Sequence, residues 1–211
     1  MFLALSFSIP ATAATTDKTA PKPGAYCPDT GILPVVAEEL SASLELAMHS
    51  RVSRSDKDRV TAINKLSSAG TTLRLAASRG AAARTTLLID AIIEAGPEDA
   101  YARMLSWFPV LHASLLTLPG STTVSAAGNL IGEAEDAMQG ARDRDPVKLL
   151  KEARHLLSCD GLDIPLQAAI LAQLKLMKKF GPQVPVKEND YDTLLDPLRD
   201  ALTYALDNSK I

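Results

Sequence analysis

The chain has 211 residues, a formal net charge of −3 and a sequence pI near 5.6. This length can bury a core that needs no metal. The acidic balance and the aromatic content of 4% argue against nucleic acid as a partner, because such partners require basic surfaces and aromatic rings for stacking. Alanine and leucine are strong helix formers and dominate the apolar residues, so we predict an all-α fold.

Residues 1 to 13 are predicted to be a secretory signal peptide. Leu3 to Ile9 form a short apolar run, Pro10 ends it, and Ala11 to Ala13 include the small residues that a signal peptidase recognises. The mature chain is therefore expected to begin near Ala14. No Lys or Arg precedes the apolar run, so we expect the true translation start to lie upstream. The alternative is an apolar N-terminus on a cytosolic protein.

No later run reaches the roughly 18 apolar residues that a membrane span requires. We therefore expect no integral membrane segment once the signal peptide is removed.

Residues 14 to 33 are predicted to form an extended arm, because Thr, Pro and Gly occur there without periodicity. Cys27 lies in this arm, and Cys159 follows a helical pattern much later in the chain. Two cysteines in an exported protein usually pair, so we predict a disulfide that fastens the arm to the helical body. A disulfide that closes such a long loop contributes about 4–5 kcal/mol to the free energy of unfolding in the chain-entropy model. Two free thiols are the alternative.

Residues 34 to 211 are predicted to form a single all-helical domain. Apolar residues recur at three- and four-residue steps in about seven or eight segments, and no strand pattern is evident. Short connections between the segments favour a compact bundle of antiparallel neighbours. The predicted helix starts are marked by Pro34, Ser55, Pro97, Asp145, Asp163 and Asp196.

An aromatic segment, residues 101 to 116, is predicted to break or kink at Pro109. A proline inside a helix removes a backbone donor and costs about 3 kcal/mol. Burial of the Trp107 and Phe108 rings would offset this cost, so we expect both side chains in the core. The alternative is that the break exposes them as a binding lip.

No motif in the chain specifies a chemistry. His49, His112 and His155 lie on three predicted helices, and none has a second ligand at the spacing of a helical metal site. Phosphate-loop, nucleophile-elbow and EF-hand patterns are missing from the sequence. We therefore predict no metal, no cofactor and no catalytic residue. Asp90 and Glu94 interrupt the most apolar helix and are expected to form its solvent-facing stripe; if buried, they would need cations.

Basic residues are concentrated between positions 51 and 84, where eight basic side chains accompany two acidic ones although the whole chain has a net charge of −3. This segment could present a basic face to an acidic partner, or acidic residues at 133 to 152 and 188 to 207 could neutralise it within the fold. We expect internal neutralisation. The candidate binding residues are Arg51, Arg59, Arg74, Arg79, Arg84, Trp107 and Phe108.

These features favour an exported, non-catalytic envelope protein, periplasmic or secreted. It would act as a protein-interaction scaffold, a chaperone-like factor or a component of a secretion apparatus, with another envelope protein as its partner. One alternative is a small exported enzyme analogous in fold class to the all-helical chorismate mutases, with Arg51, Arg59 and Lys65 around a dianionic substrate. Another is a binder of a small apolar ligand, held between helices near Trp107 and Phe108.

The positions of the arginines distinguish these functions. Arginines that converge in a closed cleft would favour the enzyme. Arginines that pair with Asp or Glu, or spread over a convex face, would favour the scaffold.

Overall fold

The computed structural model describes residues 20–95, 101–141, 143–180 and 186–209. Within these ranges the fold is all-helical, as predicted, and no strand is present. Eight helices have nine residues or more, and a further one, α4, has five. The helices are α1 (Leu33–Ser55), α2 (Arg59–Ala77), α3 (Ala83–Glu94), α4 (Tyr101–Leu105), α5 (Phe108–Leu116), α6 (Thr122–Met138), α7 (Pro146–Leu156), α8 (Asp160–Phe180) and α9 (Glu188–Asn208). None of them is long and apolar enough to cross a membrane.

The buried apolar side chains form two hydrophobic clusters. The first cluster unites α1, α2, α8 and α9, which we call the terminal bundle. The second unites α3 to α7, which we call the middle bundle. The middle bundle is therefore inserted between α2 and α8, and the chain passes between the bundles at residues 78–82 and 157–159. We call these two segments the crossovers.

Small and hydroxyl-bearing residues let the helices of the terminal bundle approach closely. The buried Ser50 hydroxyl donates to the carbonyl of Ala62 on α2 at 2.7 Å and lies 2.9 Å from the Tyr191 hydroxyl on α9. At Gly70 a β-carbon would lie 2.5 Å from the side chain of Gln173, so α2 and α8 can cross there because Gly70 has none. Both contacts hold α2 against its neighbours.

The helix starts predicted at Pro34 and Asp145 are correct, the one at Ser55 is wrong, and Pro97 lies outside the described residues. Pro34 lies in the first turn of α1, which begins at Leu33. Asp145 caps α7 by accepting two backbone N–H groups of the first turn. Ser55 is not a cap, because α1 continues through it. The cap of α2 is Asp58, which accepts the Thr61 N–H at 3.1 Å.

The helix starts predicted at Asp163 and Asp196 are wrong, and the prolines that follow these residues lie inside helices. Pro165 lies within α8, which begins at Asp160, and Pro197 lies within α9, which begins at Glu188. In α9, Leu195 and Leu198 lie close to Pro197 on either side and are buried in the terminal bundle. This burial offsets the roughly 3 kcal/mol that an internal proline costs.

The aromatic segment breaks where predicted, with α4 ending at Leu105 and α5 beginning at Phe108. Pro109 lies in the first turn of α5, where a helix has no use for the backbone N–H that proline lacks. It therefore causes no loss of stability that burial of the rings would have to offset. Phe108 is fully buried, as predicted. The prediction is wrong for Trp107, which precedes α5 and is 44% exposed. Adjacent residues point in different directions, so one ring enters the core and the other does not.

The N-terminal arm is fastened to the second crossover by backbone hydrogen bonds. The Gly24 N–H donates to the carbonyl of His155 at 2.8 Å, and the Gly24 carbonyl accepts the Asp160 N–H at 2.9 Å. Tyr26 donates to the carbonyl of Ser158 at 3.0 Å. Gly24 has φ of 71°, and a β-carbon there would lie 2.1 Å from the Asp160 carboxylate. Only glycine satisfies both conditions.

Cys27 and Cys159 form the predicted disulfide, with their Cα atoms 4.6 Å apart and a sequence separation of 132. Cys159 belongs to the hydrophobic cluster of the terminal bundle, and Tyr26 packs against that of the middle bundle. The arm therefore contacts both bundles at the second crossover. The predicted signal peptide lies outside the described residues.

The different burial of the two adjacent rings gives a matched pair of substitutions. Phe108→Ala should lower the free energy of unfolding by about 3–5 kcal/mol, the usual loss for a large aromatic core side chain. Trp107→Ala should lower it by less than half as much, because its ring is half in solvent. Urea denaturation monitored by circular dichroism measures both. Equal losses would contradict this assignment of the core.

The disulfide should stabilise the fold by constraining the unfolded chain. Reducing the wild type should lower its free energy of unfolding by about 2–5 kcal/mol. The double variant Cys27→Ser, Cys159→Ser should show the same lower stability with and without reductant. Urea denaturation curves that coincide for oxidised and reduced wild type would contradict the role assigned to the arm.

Candidate functional site

A cavity of about 310 Å³ lies where the two crossovers meet. We call it the crossover cleft. Its walls come from the end of α2, the first crossover and α3, the end of α7, the second crossover and the first half of α8. Both bundles therefore contribute to one cavity.

The floor of the crossover cleft is apolar and its mouth is partly apolar. Ala82, Leu157 and Leu166 line the floor and are buried. At the mouth, Leu87 is 62% exposed. An adjoining hollow of about 290 Å³ shares Leu87 with the cleft and extends past Arg84. An apolar group bound at the mouth would contact Leu87 and remove part of its side chain from water.

An ion pair between the two walls of the middle bundle borders the crossover cleft. Asp90 of α3 accepts a hydrogen bond from Arg154 of α7 at 2.5 Å, and each side chain is about a third exposed (34% and 31%). The expectation that Asp90 and Glu94 form one solvent-facing stripe is therefore only partly correct. Glu94 is exposed, whereas Asp90 is partly buried and pairs with the guanidinium of Arg154.

Asp163 of α8 is a second carboxyl group in the wall of the cleft. Burial raises the pKa of Asp163 above its ordinary value, and the nearby Asp160 adds to this effect. A hydrogen bond from the Cys159 N–H, at 2.7 Å, and the charge of Arg154 lower the pKa but do not cancel the effect of burial. The ionised form of Asp163 is thus disfavoured in the fold.

Three of the candidate arginines are held by other parts of the protein. Arg51 pairs with Asp192 of α9 at 2.9 Å, and Arg79 pairs with Glu39 of α1 at 3.0 Å. Arg59 donates a hydrogen bond to a backbone carbonyl at the end of α8. The basic segment is therefore partly neutralised within the fold, and α9 supplies part of the acidic charge.

Two candidate arginines remain near the cleft. Arg74 of α2 lines the crossover cleft, and Arg84 of α3 lines the adjoining hollow. Neither guanidinium forms an ion pair or a hydrogen bond with any described residue. Trp107 and Phe108 line neither of these two cavities.

The histidines do not come together. His112 lies 2.8 Å from Glu135, and His155 lies 3.1 Å from Asp160. Within the described ranges, no three His, Cys, Asp or Glu side chains are grouped so that they could hold a metal ion.

No protein family model matches the chain, and neither a curated protein nor a solved structure is significantly similar to it. Function is therefore inferred from the geometry of the crossover cleft.

Most residues of the cleft were not candidates from the sequence. Arg154 and Asp163 lie in ordinary amphipathic helices and Leu87 lies in the largely apolar α3, and nothing in their spacing distinguishes them. One local signal was present: Gly80 to Ala83 is a run of four small residues in the connection between α2 and α3. Small side chains at a turn leave space between the elements that it joins.

The raised pKa of Asp163 makes stability depend on pH. The folded state holds this proton more tightly than the unfolded state, so the stabilisation is complete below the ordinary pKa of 3.8 and is lost as pH rises through the raised pKa. The free energy of unfolding of the wild type should therefore fall relative to that of Asp163→Asn as pH rises from about 4 to 7. Urea denaturation at several pH values measures the difference.

The control is Asp207→Asn, which removes an exposed carboxylate of α9 and leaves Asp163 in place. Its pH dependence should follow that of the wild type. A constant difference between wild type and Asp163→Asn across this range would contradict the prediction.

Proposed function

We propose that this protein is an exported, non-catalytic binding protein of the cell envelope and that it binds an apolar ligand in the crossover cleft. The observation that carries the proposal is the cavity itself: an apolar floor shared by two bundles, with a leucine in solvent at its mouth. Its volume of about 310 Å³ matches the lower end of the usual range for small-molecule sites.

Export is supported by two independent features. The N-terminal residues have the apolar run, the proline and the small residues of a signal peptide. The disulfide between Cys27 and Cys159 is of a kind that persists in oxidising compartments such as the periplasm.

The chorismate-mutase-like alternative is less well supported. It requires Arg51 and Arg59 to face a dianionic substrate, but Arg51 pairs with α9 and Arg59 contacts a backbone carbonyl. Pairing of this kind was the arrangement expected for a non-catalytic protein.

A protein-interaction scaffold is the second candidate. The hollow that continues the cleft along α3, together with the exposed Leu87, would suit an apolar segment of another envelope protein. Such a partner would use the same site, so the two candidates differ in the occupant of the cleft.

Blocking the mouth of the cleft tests the proposal. Ser78 lines both the cleft and the hollow, and its side chain is exposed, so Ser78→Phe should obstruct both without unfolding the protein. The neutral apolar fluorophore N-phenyl-1-naphthylamine should bind the wild type with increased fluorescence and should lose at least about 90% of its affinity in Ser78→Phe. Ser68→Phe is the matched control, since Ser68 is exposed on α2 outside the cleft.

The same two variants address the scaffold. A protein retained from envelope extract by the wild type and by Ser68→Phe, but not by Ser78→Phe, would favour the scaffold. If the fluorophore binds all three proteins equally, or binds none of them, the crossover cleft is not an apolar ligand site and the proposal is wrong.

A further inference from the structure

The charged groups of the crossover cleft differ in whether they have partners. Asp90 and Arg154 neutralise each other across the cleft wall. Asp163 accepts a hydrogen bond from the Cys159 N–H and is half-buried. Arg74 is exposed where it lines the cleft, and its guanidinium has no partner among the described residues.

Pairing leaves one charged side chain of the cleft without a partner. The lining contains two arginines and two aspartates. Arg154 is held by Asp90, and Asp163 is held by the Cys159 N–H. Arg74 is therefore the charged residue of the cleft that is available to bind an anionic group.

The polar and apolar parts of the cleft occupy different depths. Ala82, Leu157 and Leu166 are buried on the floor, whereas Arg74 is exposed. A ligand that fits both parts would place an apolar chain on the floor and an anionic group towards solvent. A guanidinium binds a carboxylate through two parallel hydrogen bonds, which gives the head group a defined position.

We propose that the ligand of the crossover cleft is a small anionic amphiphile, a single acyl chain that ends in a carboxylate, with Arg74 as the residue that binds the carboxylate. This inference rests on the proposed function, since it names the ligand class of the same site. Arg74 acts as a specificity-determining residue, because it distinguishes an acid from an alcohol or amine of equal chain length.

The head group is tested with ligands of one chain length. Decanoate, decanol and decylamine compete with N-phenyl-1-naphthylamine for the oxidised wild type at pH 8, where the acid is ionised. Decanoate should bind about tenfold more tightly than decanol, the effect of one charge-assisted pair at a partly exposed position. Decylamine should bind no more tightly than decanol. Equal affinity for acid and alcohol, or a preference for the amine, would overturn the inference.

Two arginine variants assign the preference to Arg74. Arg74→Gln should lose the tenfold preference for decanoate while its affinity for decanol stays unchanged. Arg103→Gln makes the same change of charge at an exposed residue of α4 and should keep the preference. A preference that survives in Arg74→Gln, or that disappears equally in both variants, would show that Arg74 does not bind the head group.

A series from hexanoate to dodecanoate tests whether the chain occupies the cavity. Each added methylene that reaches the apolar floor should raise affinity by about fourfold. In a cavity of about 310 Å³ this rise should stop once the floor is filled. A rise that continues unchanged to the longest chain would indicate adsorption outside the cleft and would overturn the inference.

Failure of this inference is distinguishable from failure of the proposed function. If the neutral fluorophore binds and Ser78→Phe blocks it, the cleft is an apolar site whichever head group is preferred. If the fluorophore does not bind there, the proposed function fails first, and the acyl-carboxylate inference fails with it.

Discussion

The arm that carries Cys27 lies across the point where α7 passes into α8, and this contact ties the two bundles together. It combines the disulfide with three backbone hydrogen bonds around Gly24 and Tyr26. Cys159 is buried in the terminal bundle, while Tyr26 packs on the middle bundle. Because the middle bundle joins the rest of the chain at two crossovers, fixing one of them limits how the bundles can move relative to each other.

The crossover cleft is a consequence of this architecture. Each bundle buries its own apolar faces, so the crossovers are where their surfaces meet without a shared core. The small residues from Gly80 to Ala83 line the cavity from the first crossover, and Leu157 and Ser158 line it from the second. The arm reaches the same crossover, so the disulfide stabilises the wall that contains Ser158 and Asp163. The second crossover thus belongs both to the contact with the arm and to the wall of the cleft.

The basic segment shows how charge is distributed between structure and site. Arg51 pairs with α9 within the terminal bundle, and Arg79 of the first crossover pairs with Glu39 of α1. Such partly exposed pairs each contribute about 0–1 kcal/mol to the free energy of unfolding. Arg74 lines the cleft and Arg84 lines the adjoining hollow, and neither has such a partner in the described residues. This difference in partners separates structural arginines from candidate binding ones.

The sequence by itself determined the helical class, the disulfide and the cap at Asp145. Helical periodicity and capping are local, and with only two cysteines the intramolecular pairing has a single solution. The tertiary structure alone decided that α8 and α9 run through Pro165 and Pro197, because burial by distant helices offsets a local cost. It also decided that Trp107 faces solvent and that Arg74 and Asp163 share a cavity. Contacts between residues so far apart in the chain depend on how whole bundles pack, which no local pattern encodes.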